Sequence, residues 1–133
     1  MAKKKIFISY DYDNDKNYKN LLKAWDANGT FDFSFHDHSA DVSINSTNAT
    51  AIKRAISAKI NSATYFLCIV GKKTSKSSWV KWEIDKAVDL NKKLVAVKTD
   101  STNTSPIELL NVGASWAMSF TEAAIKNAIN NAK

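Results

Sequence analysis

Glycine and proline are nearly missing from this chain. Its 133 residues include three glycines, Gly29, Gly71 and Gly113, and one proline, Pro106. Neither the G-x-G-x-x-G turn that cradles a dinucleotide nor a phosphate-binding P-loop can be written with glycines so far apart. A nicotinamide cofactor gripped as in a redox dehydrogenase is therefore excluded, and so is P-loop nucleoside-triphosphate hydrolysis. Cysteine is nearly as scarce. The lone Cys68 sits in the apolar run Tyr65-Phe66-Leu67-Cys68-Ile69-Val70. It allows no disulfide within the chain and reads as a small buried hydrophobe. No stretch approaches the ~18 consecutive apolar residues of a membrane span. The opening Met1-Ala2-Lys3-Lys4-Lys5 leads into too short an apolar run for a secretory signal. No membrane association is expected, and the expected compartment is the cytoplasm.

Also lacking is any arginine-rich tract or repeated basic–aromatic pattern, so the formal charge of +6 does not imply a nucleic-acid partner. Many of the lysines fall between Lys72 and Lys98, interleaved with Glu83, Asp85 and Asp89. They read as a solvated surface, with a rim for a phosphorylated substrate as the sharper alternative. The N-x-S/T triplets at Asn28, Asn45, Asn48 and Asn103 read as accidents of an asparagine-rich cytoplasmic chain.

What is present is ordinary in amount and orderly in pattern. Hydrophobic residues make up 44% and charged residues 24%, enough for one core and one domain spanning residues 1–133. Ile6-Phe7-Ile8 reads as a strand buried on both faces. Tyr18, Leu21, Leu22 and Trp25 give an amphipathic helix closed by Asn28-Gly29. Phe31, Phe33 and Phe35 alternate with polar residues, as on an edge strand. Ile52, Ala55, Ile56, Lys59 and Ile60 form a second helical stripe, with Asn48 or Thr50 as its cap. Thr64–Val70 is the clearest buried strand. A helix follows from about Ser77 to Asn91, burying Val80, Ile84, Ala87 and Val88, and Leu94–Val97 is another strand. Pro106–Val112 reads as a short helix or turn, Trp116–Phe120 as the last strand, and Ile125, Ala128 and Ile129 mark the final helix. This alternation predicts an α/β, flavodoxin-like three-layer sandwich with a five-stranded parallel sheet in the order 2-1-3-4-5. Its ligand crevice lies beyond the carboxyl ends of the first and third strands.

The segment Ser77-Ser78-Trp79-Val80-Lys81-Trp82-Glu83 begins at that crevice. Trp79 and Glu83, four apart, share a helix face and could wall one cleft. One acid beside an aromatic cannot run two-carboxylate hydrolysis, but it can help break a glycosidic bond whose leaving group is already good. Glu83 falls at the flank of the Val80/Ile84/Val88 stripe, the place of a cleft-edge acid. The plainer reading is a glutamate stabilised by the helix dipole. Trp82 points away from the stripe, either as a contact surface or as a ring lying over lysine stems. Ser9 and Ser78 lack a G-x-S-x-G setting and read as caps or substrate hydrogen-bonders. A receiver domain would match the acidic Asp11, Asp13 and Asp15, but strand three ends Val70-Gly71-Lys72-Lys73 without the acid that chemistry needs. His36-Asp37-His38 has no cysteine or spaced second cluster beside it, so it reads as a polar loop or substrate rim, and no metal site is expected.

Two of these segments carry a family resemblance. Ile6-Phe7-Ile8-Ser9-Tyr10-Asp11 resembles the opening motif of TIR domains, and Ser78-Trp79-Val80-Lys81-Trp82-Glu83 resembles their catalytic-helix motif. With Ala51-Ile52-Lys53-Arg54-Ala55-Ile56 before the third strand, the chain resembles, over essentially its whole length, the bacterial TIR-like family of Thoeris antiphage defence. The resemblance implies that NAD is a substrate and not a bound cofactor, cleaved at the nicotinamide–ribose bond with Glu83 as the catalytic carboxylate. It implies a cyclic ADP-ribose product that activates a separate effector, and assembly into homo-oligomers. Trp79 would then shape the pocket wall, with Ser9, Tyr10, Asp37 and Ser78 lining the substrate rim. The compact chain leaves open whether the product is a ring or open ADP-ribose. The alternative is a TIR interaction module without catalysis.

Overall fold

The computed structural model describes residues 4–26, 31–34 and 43–133. The chain runs β1 (Lys4–Ser9), α1 (Tyr12–Trp25), β2 (Phe31–Ser34), α2 (Ala49–Ser62), β3 (Tyr65–Val70), a 3-10 turn (Thr74–Lys76), α3 (Ser78–Asp89), β4 (Lys93–Lys98), a second 3-10 turn (Ile107–Leu109), β5 (Ser115–Ala117) and α4 (Glu122–Asn131). All strand pairs are parallel and the order is β2-β1-β3-β4-β5. The flavodoxin-like α/β expectation is met, with β2 at one edge. Sequence order reverses between β1 and β3, and their carboxyl ends open the crevice of the sheet.

Strand alternation divides the core in two. Ile6, Ile8, Leu67, Ile69, Val95 and Val97 face α1 and α4, meeting Leu22, Ile125 and Ile129. Phe7, Phe66, Cys68, Leu94 and Ala96 face α2 and α3, meeting Ile56, Ile60, Val80 and Ile84. The Phe7 and Phe66 rings stack at 5.7 Å on this second face, worth about 1 kcal/mol beyond their buried area.

Side-chain caps start three helices. Asp11 accepts from the Asp13 amide at 3.2 Å, Ser77 from Val80 and Thr121 from Ala124. Asn48 precedes α2 but makes no side-chain cap, and Thr50 lies inside that helix. Two helix stripes are narrower than the sequence suggested. Leu21 is 39% exposed, and Ala55 and Lys59 are solvent-facing, while Ile56 and Ile60 are buried. The last strand is also shorter than Trp116–Phe120, because Met118 turns outward and Phe120 folds back onto Tyr18 and Trp25, with ring centroids at 4.8 and 5.6 Å. Asn91, at φ 57°, ends α3 in the left-handed region that asparagine tolerates. No helix among the described residues is long and apolar enough to cross a membrane.

Gly71, just past β3, has no room for a side chain. A Cβ there would collide with the carboxyl group of Asp15 on α1. Gly71→Ala should cost about 2–4 kcal/mol in urea unfolding, as overpacking and a displaced polar group combine. The cost should shrink by at least half in an Asp15→Ala background. A cost below about 1 kcal/mol in the single variant would show that α1 and the strand end do not meet this closely.

Candidate functional site

The site is built where β1 ends and α3 begins. Ser9 is the last residue of β1, in register with Cys68 of β3. Its odd position turns it toward the α3 face, as it does Phe7. On α3 the buried positions are Val80, Glu83, Ile84 and Ala87, at i, i+3, i+4 and i+7. Glu83 stands at one margin of this buried stripe, beside Ala87 and on the side away from Ile84. The expected cleft-edge acid is instead 0% exposed. The reason is helix phase: Ala87 turns inward, Val88 is only half-buried, and the inward face rotates to include Glu83.

Ser9 supplies part of what a buried carboxyl group requires. Its Oγ, also 0% exposed, donates to Glu83 Oε1 at 2.7 Å. Deleting such a donor beside a buried acid costs about 1–3 kcal/mol. Cys68 lies close by. Burial, then the neighbouring Glu83 and Asp15, push its thiol well above the ordinary value, so it is inert as a nucleophile.

Trp79 and Trp82 lie along α3 with an edge-to-face contact at 6.2 Å. Both are half-buried against the α2–α3 core. The Lys53 ammonium of α2 sits 5.8 Å from the Trp82 ring, so the lysine-covered arrangement is the one observed. Ser78 opens α3 and is exposed, while its neighbour Ser77 makes the cap, accepting the Val80 N–H at 3.2 Å. Tyr10 is 3% exposed in the core of the opposite face, with Lys19 5.9 Å from its ring. One residue beyond Ser9, it necessarily points to the other side of the sheet, and the expected rim position is not what the structure shows. Asp37, with His36 and His38, lies outside the described residues. The structure therefore brings Ser9 and Glu83 into contact, sets Trp79 one turn away, and places Tyr10 and Ser78 elsewhere.

A second polar cluster flanks the crevice on the α1 side. Asp15, 4% exposed, accepts from Thr74 Oγ1 at 3.1 Å. The same hydroxyl accepts the Gly71 N–H at 2.7 Å and lies 3.2 Å from the Ile69 carbonyl. Burial raises the Asp15 pKa from 3.8 to about 6; the Thr74 hydrogen bond opposes that rise and the nearby Asp11 adds to it. A cavity of about 260 Å³ is lined by Asp15, Asn14, Tyr18, Lys72, Lys73 and Thr99. Another, of about 270 Å³, runs from Asp11, Asp13 and Asn14 to Lys73, Lys76 and Ser77 at the start of α3. Sequence reading treated Asp15 only as part of an acidic run. A signal was available, since Asp15, Tyr18, Leu22 and Trp25 recur at spacings of three, four and three, which puts the acid on the apolar stripe.

The order of this sheet, with a serine–glutamate contact at its switch point, defines a flavodoxin-like α/β protein. A family model described as "Thoeris protein ThsB, TIR-like domain" matches residues 7–104. The chain belongs to that TIR-like family of Thoeris antiphage defence. Comparison with curated proteins gives no match. Among solved structures, the chain is similar to a 2-desoxiribosyltransferase from Leishmania mexicana, at 19% identity and a TM-score of 0.57, over 73% of this chain and 65% of that one. It is also similar to a conserved protein from Enterococcus faecalis V583, at 15% identity and a TM-score of 0.52, over 78% and 69%. These two likenesses show the fold alone.

Asp15 gives a pH signature with a defined sign. It holds its proton more tightly folded than unfolded, so its stabilising contribution is full below 3.8 and is lost as pH rises through about 6. At ~1.4 kcal/mol per unit, keeping Asp15 charged at neutral pH costs about 3 kcal/mol. Asp15→Asn, which keeps an oxygen for Thr74, should therefore gain about 1–3 kcal/mol over the parent near pH 7.5. The gain should fade toward about pH 4.5 in urea titrations. A gain independent of pH would refute the assignment.

Proposed function

We propose that this chain is a TIR enzyme of antiphage defence that consumes NAD, cleaving the bond between nicotinamide and ribose. Family membership supports the reading, and one observation carries it: Glu83, hydrogen-bonded to Ser9, lies at the switch point of the sheet. Nicotinamide leaves as a neutral molecule from a pyridinium, so no general acid is needed. The barrier lies in forming an oxocarbenium-like ribosyl centre, and a fixed negative group beside it lowers that barrier. Ser9 orients the carboxyl group so that it need not reorganise as charge develops. In this reading Trp79 shapes the wall of the pocket. If water accepts the ribosyl centre the product is ADP-ribose, and if a hydroxyl or adenine nitrogen of the same molecule does so the product is cyclic. We assign the cyclic nucleotide, acting on a separate effector in the cytoplasm, with NAD as substrate and no bound cofactor.

A specific observation favours a second reading. Glu83 is fully covered, and a ribose can reach it only if neighbouring atoms part. A TIR module that signals through protein contacts alone would need no such opening, and the Ser9–Glu83 pair would then be purely structural. Glu83→Gln separates the two readings. In the enzyme, nicotinamide release measured by mass spectrometry at high protein concentration should fall about 100-fold or more, with melting temperature held within a few degrees. Turnover equal to the parent's would sink the enzymatic reading. Chromatography of the nucleotide distinguishes ring from open ADP-ribose.

A further inference from the structure

Glu83 is reached through α3, and α3 is launched by the turn that leaves β3. On the strand side of this turn, the Val70 carbonyl accepts from the Thr99 amide at 3.1 Å and from Asn103 Nδ2 at 2.9 Å. On the helix side, the Thr74 carbonyl accepts the Ser77 N–H at 3.0 Å, Ser77 Oγ caps Val80, and the Ser77 carbonyl accepts the Lys81 N–H at 3.1 Å. Between the two sides stands the Thr74 hydroxyl, fully buried. It accepts from Gly71 and directs its proton toward Asp15 or the Ile69 carbonyl. Asp15 belongs to α1, which starts three residues after Ser9.

We propose that Asp15 and Thr74 are positioning residues for Glu83, bracing the turn that launches α3 from the α1 side while Ser9 holds the carboxyl group from the β1 side. The inference rests on the catalytic reading of Glu83 and extends it to a cluster on the other side of the crevice. Three features carry the argument. Thr74 and Asp15 are buried polar groups with specified partners, not surface residues that happen to be close. A Cβ at Gly71 would meet the Asp15 carboxyl group, so the acid of α1 lies directly against the backbone of the turn. Glu83 is five residues into α3, about 7.5 Å along its axis from the braced end. A shift of that end by a fraction of an ångström is therefore felt at a 2.7 Å hydrogen bond. Misplacing a catalytic group by about 1 Å can cost on the order of 100-fold in rate. The buried charge of Asp15 also costs stability, which is expected of a residue kept for function and not for folding.

The test uses the full chain and four variants. Thr74→Val removes the hydroxyl at nearly constant volume, and Asp15→Ala removes the acceptor. Thr74→Ser and Asp15→Asn preserve them. Well below the melting temperatures, Thr74→Val and Asp15→Ala should lower kcat for nicotinamide release about 10- to 100-fold with KM changed less than about threefold. The two conservative variants should keep at least a third of the parent rate. In parallel, hydrogen exchange at the Gly71 and Ser77–Val80 amides should accelerate at least tenfold in Thr74→Val and not in Thr74→Ser. Faster exchange with an unchanged kcat would show a structural contact only and overturn the proposal, as would unchanged exchange. Should the parent release no nicotinamide, the reading of Glu83 falls, and the positioning role falls with it. In that case exchange alone still decides whether the brace exists.

Discussion

A carboxyl group closed off from water needs polar company, and the region around the β1–β3 crevice is organised by that need. Glu83 lies in a stripe otherwise made of Val80, Ile84 and Ala87. An acid at that position is tolerable only where the sheet offers a donor, and β1 offers one at its last residue, Ser9. Replace that serine by a hydrophobe and the stripe would carry an acid short of a partner. Replace the glutamate by leucine and α3 would be an ordinary amphipathic helix. The pair marks the place where the fold departs from the best hydrophobic solution, and such departures concentrate at sites of function.

A second departure lies about one element away, and it is of the same kind. Asp15 interrupts the apolar stripe of α1 as Glu83 interrupts that of α3, and each acid is met by a hydroxyl, Thr74 for the one and Ser9 for the other. The two hydroxyls come from opposite members of the strand pair: Ser9 ends β1, and Thr74 follows β3. Each strand end therefore addresses the acid of a helix that follows the other strand. This cross-linking couples the β1–α1 and β3–α3 connections, and neither can be rearranged without loading the other. Cys68, in register with Ser9, feels the charge of both acids.

The sheet was legible in the sequence because its central strands are continuous apolar runs, and its edge strand alternates. Tyr65–Val70 and Lys93–Lys98 could hardly be anything else, and Phe31 with Phe33 pointed to the margin where β2 lies. Helix phase was less legible. Leu21 looks inward on composition but faces solvent, while Asp15 looks outward and is buried, because apolarity alone does not fix the rotation of a helix whose stripe contains an acid. Glu83 does stand at the margin of its stripe, as its spacing implies, but that margin is closed over and the acid is buried. The TIR resemblance implies Tyr10 on the rim beside Ser9, yet adjacent strand residues face opposite layers. Thr74 could not have been found at all, since its importance depends on a contact 59 residues away along the chain.

The margins of the sheet carry a consequence for how copies of this chain can meet. One margin is β2, four residues long, and the other is β5, with only three. At ~3.3 Å per residue, β5 offers about 10 Å of backbone for another strand to copy. So short a template gives little ladder hydrogen bonding to a newcomer. A copy docking along β5 would therefore lean on the side-chain surfaces of neighbouring helices and turns more than on a shared strand ladder.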